Sequence, residues 1–390
     1  MHPTRIYYVI AFVSGFAGCL PAVVYAPMLL SYGLTLADVS IVNAAFFGSI
    51  VLAEIPTGML ADGRSRAWSI RMGLLCGAIS MAGYACVTGF WGALICEIAD
   101  GVAFAFLSGA QQAWLKDALL HRNEPDETYK RTTGMSAMIR MTGCLSAGVL
   151  GSWIGVAHAR WCFAGEALLW AALFFYVSKY MDGSGEPPVR VSEFEAFRMS
   201  LKALSKSTPL RWVVAASMCF GLVVPYNHFW SPYSHMTYGA EGAARMWIVM
   251  NLAYSFGGFL IRRSKIPHGG EVAWFAIALV MSGVGLAAIA GTSIVALSVG
   301  AVILHEIGRN IFEPLVDIYI QRRVESPYRA TYGSLHSFLG RSGIAVVLIF
   351  VWLFTHGQPT NVDTIFAVWA VCGFLLCVSA VVLWLARPRN

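Results

Sequence analysis

The chain has 390 residues, 57% hydrophobic and only 12% charged, with a formal net charge of +6. A soluble globular protein carries roughly a quarter charged residues; a chain this poor in charge has no means of covering a water-facing surface, so a membrane protein is expected. Nine cysteines lie mostly singly inside apolar stretches with no CxxC spacing, which argues against a zinc site or a disulfide framework.

A spanning helix needs about 20 mainly apolar residues. Twelve such runs appear in chain order: 6–30, 38–61, 69–88, 91–116, 131–156, 160–181, 210–235, 243–262, 271–290, 293–321, 329–354 and 363–386. The first is too long for the apolar core of a signal peptide and is expected to stay as an anchor. Loops are short except in the middle, where residues 182–209 open with Gly and Pro. They then place Phe194, Phe197, Leu201 and Leu204 at helical spacing. The expectation is a linker with an amphipathic surface helix between two six-helix bundles, 1–181 and 210–390.

Cytoplasmic loops of membrane proteins collect Lys and Arg. With both ends of the chain inside, the inner segments hold 22 of the 27 basic residues and the outer loops hold two, Arg160 and Arg245. The other three, Arg140, Arg309 and Arg341, fall within runs. The two halves also echo each other. SGAQQAWLKD (108–117) in run four and FEPLVDIYIQR (312–322) in run ten end at the same depth, about 205 positions apart. YKRTTG before Arg140 and YRATYG before Arg341 repeat at a similar offset. Such repeats are common in secondary transporters.

Between runs two and three stands EIPTGMLADGRSRAW (54–68), a small charged loop between apolar runs. It resembles the hallmark of the major facilitator superfamily, G-x-x-x-D-[R/K]-x-G-[R/K]-[R/K]. Gly58, Asp62 and Arg66 match it, while Gly63, Ser65 and Ala67 depart from it. Glu54–Gly58, Ser108–Asp117 and Arg329–Thr331 are similar to a bacterial branch rich in drug-efflux-like members. The resemblance implies a fold of twelve transmembrane helices in two pseudo-symmetric bundles. It also implies a cavity lined chiefly by spans one, four, seven and ten, and a cytoplasmic latch at Gly58, Asp62, Arg66 and Asp117. Physically, Gly58 permits close helix approach, Asp62 suits a positive helix end, and Arg66 or Arg64 can reach Asp117. Arg71 reads as an ordinary inner-loop charge.

Ionisable groups at bilayer depth are expensive unless paired or wetted, so each is a functional candidate. Span four carries Glu97 and Asp100 one turn apart, with Gln111 expected further along the Asp100 face. Span six has Glu166. Span ten has Glu306, Arg309, Glu313 and Asp317 on one helical stripe. Glu97, Asp100, Glu166, Glu306, Arg309, Arg140 and Arg341 are the proton-coupling candidates. Pairing of Arg309 with Glu306 or Glu313 is the competing structural reading. Glu313 and Asp317 approach the cytoplasmic end and are candidates for a second gate. The family often has an Arg four residues before the span-four Gly; Glu97 occupies that place before Gly101, and Arg140 is the substitute charge.

Span seven reads VVPYNHFWSPYSHM, with Pro225 and Pro232 expected to break it. Tyr226 and Asn227 are the cavity candidates, and Trp230, Tyr233 and His235 are expected in an interfacial aromatic belt. His305 and His336 are expected to donate structural hydrogen bonds. Gly143, Ala147 and Gly151 form a small-residue stripe for helix packing. No GxSxG, HExxH or P-loop occurs, so neither enzymatic chemistry nor ATP is expected to drive the protein. The reading is a monomeric secondary transporter in a bacterial inner membrane, with no cofactor, metal or nucleic acid, moving a small organic molecule against protons. The branch resemblance tilts it toward export. Import of a charged nutrient is the alternative, and a non-transporting receptor the third.

Overall fold

The computed structural model describes residues 1–63, 65–108, 110–181, 198, 201–202, 204–267, 269–292, 294–323 and 329–388. Side chains at 55, 58–63, 321, 329–331 and 333–334 lie outside that description. So do most of the expected linker helix and Arg64, as well as the side chain of Asp62 and whatever packs at Gly58.

The described chain is helical. It runs through α1 (Pro3–Cys19), α2 (Tyr25–Ser31), α3 (Leu36–Gly63), α4 (Arg66–Tyr84), α5 (Phe90–Leu107), α6 (Ala110–Leu120), α7 (Asp126–Ile154) and α8 (Ala159–Tyr180). It resumes with α9 (Thr208–Phe220), α10 (Val224–Arg263), α11 (Glu271–Ala290), α12 (Val295–Arg323), α13 (Arg329–Thr355) and α14 (Val362–Leu385). Every expected run forms helix. Run one divides into α1 and α2 around Pro21, and run four divides into α5 and α6 at Ser108, whose backbone is extended (φ −60°, ψ 120°). That break corrects one expectation: Gln111 does not continue the Asp100 face, because helical register is not carried across an extended residue.

Nine described stretches are long and apolar enough to cross a bilayer. One of them, Thr208–Arg263, holds two expected spans. They meet without a loop at Gly239, whose φ of 70° lies in the left-handed region that glycine enters freely. Span seven breaks at the 3-10 turn Gly221–Val223, ahead of Pro225, and continues as helix through Pro232.

The chain packs as two compact units, Met1–Leu34 with Ala45–Glu193, and Thr35–Ala44 with Phe194–Asn390. Lipid offers no hydrophobic driving force for helix association, so close packing through small residues does the work. In the first unit a Cβ on Gly15 or Gly151 would overlap the carbonyl oxygens of Arg140 and Leu20. One on Gly143 would stand 2.7 Å from the Phe12 carbonyl. The expected stripe on α7 is thus the surface that receives α1, with Ala147 fully buried between the glycines. The second unit has its own crossings. Gly283 on α11 faces Gly373 on α14, where a Cβ would come within 2.7 Å of the opposite carbonyl.

Ser65 caps α4 by accepting from the Trp68 amide at 3.1 Å. In the second unit Trp212 donates its indole N–H to the Leu383 carbonyl at 2.9 Å, and Tyr332 donates to the Leu210 carbonyl at 2.9 Å. These bonds tie α9 to α14 and α13.

Candidate functional site

A polar cluster of the second unit surrounds Arg309. Its Nε stands 3.2 Å from the carboxylate of Glu306, one turn earlier on α12. An Nη donates to Asn227 Oδ1 on α10, and the guanidinium lies 4.7 Å from the Tyr254 ring centroid, on the far side of Gly239. Tyr254 in turn donates to Glu313 at 3.5 Å. Glu306 is wholly buried, and although Arg309 balances its charge, neither of its oxygens takes a hydrogen bond from a described residue. Tyr226, His305 and Trp369 pack beside it, with ring centroids 4.5 Å (Tyr226–His305) and 5.3 Å (Tyr226–Trp369) apart. Tyr226 Oη, His305 Nε2 and Trp369 Nε1 are likewise buried without a described partner. A buried polar group left unsatisfied costs about 1–3 kcal/mol, so four of them together mark a functional place rather than an inert core.

The expected pairing of Arg309 with Glu306 is therefore real. The rest of the stripe behaves differently. Glu313 and Asp317 are exposed, and neither forms an ion pair with a described residue. Arg341 on α13 is half-buried. His305 donates to the Ser282 carbonyl at 2.9 Å and His336 bonds Ser217 at 2.7 Å, the structural roles expected of them. The belt expectation is corrected: Trp230 and Tyr233 are core residues. Tyr233 bonds Ser298 at 3.0 Å and packs 5.2 Å from Trp369, while half-buried His235 bonds the Ser231 carbonyl at 3.0 Å. Aromatics suit an interface and a core equally well, so their type alone does not separate the two.

In the first unit, Glu97, Asp100 and Glu166 lie within electrostatic range of one another. They differ in company. Glu97 accepts from Tyr25 at 2.5 Å, beside Tyr84 and Phe163 stacked at 5.0 Å. Glu166 accepts from the Trp170 indole at 3.0 Å through one oxygen, and its other oxygen is buried without a described partner. Arg140 is exposed on α7 beside the α1 crossing. Gln111 is half-buried on α6. Tyr25→Phe is expected to lower stability by about 1–2 kcal/mol, because it removes one hydrogen-bond donor from a buried carboxylate. A lowered thermal unfolding midpoint in detergent checks this; an unchanged midpoint means another donor holds Glu97.

The expected link between Arg66 and Asp117 is present at 2.7 Å. Arg71 donates to the Met181 carbonyl at 2.8 Å. Sequence reasoning missed Glu271, the first residue of α11. It is wholly buried between Arg322 and Arg323 at the end of α12, at 2.7 and 3.4 Å. The signal was available in the repeat offset, which carries Arg66 to 271 and Asp117 to 322.

The family model described as Major Facilitator Superfamily matches residues 7–348. The chain belongs to this superfamily. As a member it is a multi-pass membrane transport protein rather than an enzyme. Solved structures of the superfamily share the fold. A variant of the nucleoside transporter NupG superposes with a TM-score of 0.84 at 16% identity, covering 99% of this chain and 100% of that one. The D-xylose-proton symporter gives 0.77 at 11% identity, covering 99% and 97%. The E. coli fucose:proton symporter FucP gives 0.63 at 16%, covering 98% of each chain. No curated protein sequence matches the chain.

Proposed function

We propose that this superfamily member is a proton-coupled importer of a small polar or charged nutrient. It works by alternating access in a bacterial inner membrane, with both chain ends cytoplasmic, as a monomer without cofactor. The observation that carries the reading is Glu306: fully buried, charge-balanced by Arg309, and without a hydrogen bond from a described residue to either oxygen. Such a carboxylate gains or loses a proton at small structural cost. When it is neutral its hold on Arg309 weakens, and the guanidinium, already bonded to Asn227, is freed to meet an incoming solute. Arg309 and Asn227 are thus the substrate contacts, and Glu306 is the proton carrier. Glu97, Asp100 and Glu166 form a second protonatable group in the first unit. Loop charges support the orientation, since placing both chain ends inside puts 22 of 27 basic residues on the inner side.

Direction is where the readings part. The drug-efflux-like motifs favour export. The nucleoside transporter and the sugar–proton symporters named above favour uptake, and uptake is the reading taken here. The test is transport into liposomes holding the purified protein, across a panel of nucleosides, pentoses and hexoses, with a pH gradient imposed and internal pH recorded. Accumulation of a panel member with co-entry of protons is expected. Glu306→Gln is expected to exchange that solute across the membrane without concentrating it. Protons moving against the solute would replace uptake by export; a gradient without effect on any compound would remove proton coupling altogether.

A further inference from the structure

Two ion-paired corners stand at equivalent places in the two units, with the signs exchanged. In the first unit a base opens α4 and an acid stands in the last turn of α6: Arg66 with Asp117. In the second an acid opens α11 and bases close α12: Glu271 with Arg322 and Arg323. The offset is the same for both partners (66 to 271, 117 to 322).

The exchange matters because helix ends carry partial charges, positive at the start and negative at the finish. Glu271 lies at a positive end and Arg322 and Arg323 at a negative end, so every charge of the second corner is favoured by the helix that bears it. Arg66 lies at a positive end and Asp117 near a negative one, so both charges of the first corner sit against their helices. The surroundings differ in the same sense. The Glu271 side chain is 0% exposed and contacts two arginines. Arg322 also donates to the Ile266 and Pro267 carbonyls at 2.9 and 3.2 Å, and Arg323 stacks 3.7 Å from the Tyr319 ring. Arg66 and Asp117 are each 29% exposed and, among the described residues, share one ion pair, which water and salt weaken.

We infer that the second corner is a permanent clasp, holding α11, α12 and the turn before α11 as one body, in contrast to the first, where the superfamily resemblance places the latch that releases. Repeat symmetry supplied two corners; exchanging the signs made one fast and the other loose. This rests in part on the transport reading, so the test has two arms.

The first arm is independent of transport. Glu271→Gln is expected to lower the thermal unfolding midpoint by roughly 5 °C, since it leaves two arginines at a buried site. Asp117→Asn should lower it by no more than about 1 °C. Equal shifts, or a larger one for Asp117→Asn, overturn the asymmetry whatever the protein transports. The second arm pairs cysteines, Glu271→Cys with Arg322→Cys and Arg66→Cys with Asp117→Cys. Each pair is bridged by a short reducible dithiol-specific reagent, the bridge is mapped by mass spectrometry, and the native chain is treated alongside. The 271–322 bridge should form and leave the transport rate at that of the treated native chain. The 66–117 bridge should stop transport until a reductant is added. A 271–322 bridge that fails to form or that stops transport overturns the clasp, and a 66–117 bridge that leaves the rate intact overturns the release.

Discussion

Arg309→Met is expected to abolish solute transport and to lower stability by about 3–5 kcal/mol. Removing one member of a buried pair strands the other charge, and the stranded group here is Glu306, which is wholly buried. The loss should shrink as pH falls, since a neutral Glu306 needs no counter-charge. Combining Arg309→Met with Glu306→Gln should return most of the stability, because a pair replaced by neutral side chains leaves nothing stranded. Transport should stay absent, as the guanidinium facing Asn227 is still missing. Unfolding midpoints across a pH series, set beside uptake rates of the three variants, check this. A double variant as unstable as Arg309→Met would mean that the cost lies in lost packing.

The second large effect is expected on α7. Gly151→Leu should cost about 3 kcal/mol, and joining it to Gly143→Val should prevent accumulation of folded protein. At Gly143 a Cβ runs into α1 backbone and at Gly151 into the backbone of Leu20, which follows α1, and neither moves aside as a flexible side chain does. Gly134 lies on the same helix and a Cβ there meets nothing within 4 Å. Gly134→Ala should therefore be neutral or gain about 0.5–1 kcal/mol. Thermal midpoints of Gly151→Leu, Gly134→Ala and the native chain, with the yield of folded double variant, decide the matter; equal midpoints and a normal yield would show that the α1–α7 crossing has room to spare.

Much of the fold was legible because a bilayer imposes a coarse code of run length, loop charge and small residues at crossings. That code located all twelve helical runs and the Gly143–Gly151 stripe. Local spacing reached the Arg309–Glu306 pair, since side chains three apart on a helix are neighbours. The family resemblance reached Arg66 with Asp117. What stayed hidden needed partners distant in sequence. Tyr25 on Glu97, Asn227 and Tyr254 on Arg309, and the two arginines on Glu271 all join residues more than 50 positions apart. Glu271 in particular was not singled out in the sequence, because it opens its run with no Lys or Arg within five residues. The Asp100–Gln111 face failed for a local reason, a single extended residue inside an apolar stretch that hydropathy reads as continuous. Trp230 and Tyr233 failed because rings of that kind are at home in a core and at a membrane surface alike.

The bend at Gly239 gives α10 the form of a pair of tweezers. Asn227 sits on one limb and Tyr254 on the other, and both grip the same guanidinium. With no loop between the limbs there is no slack to absorb a change of angle. A few degrees of spreading at this single joint would loosen both grips on Arg309 together, leaving the Glu306 carboxylate to hold the cation from its own helix.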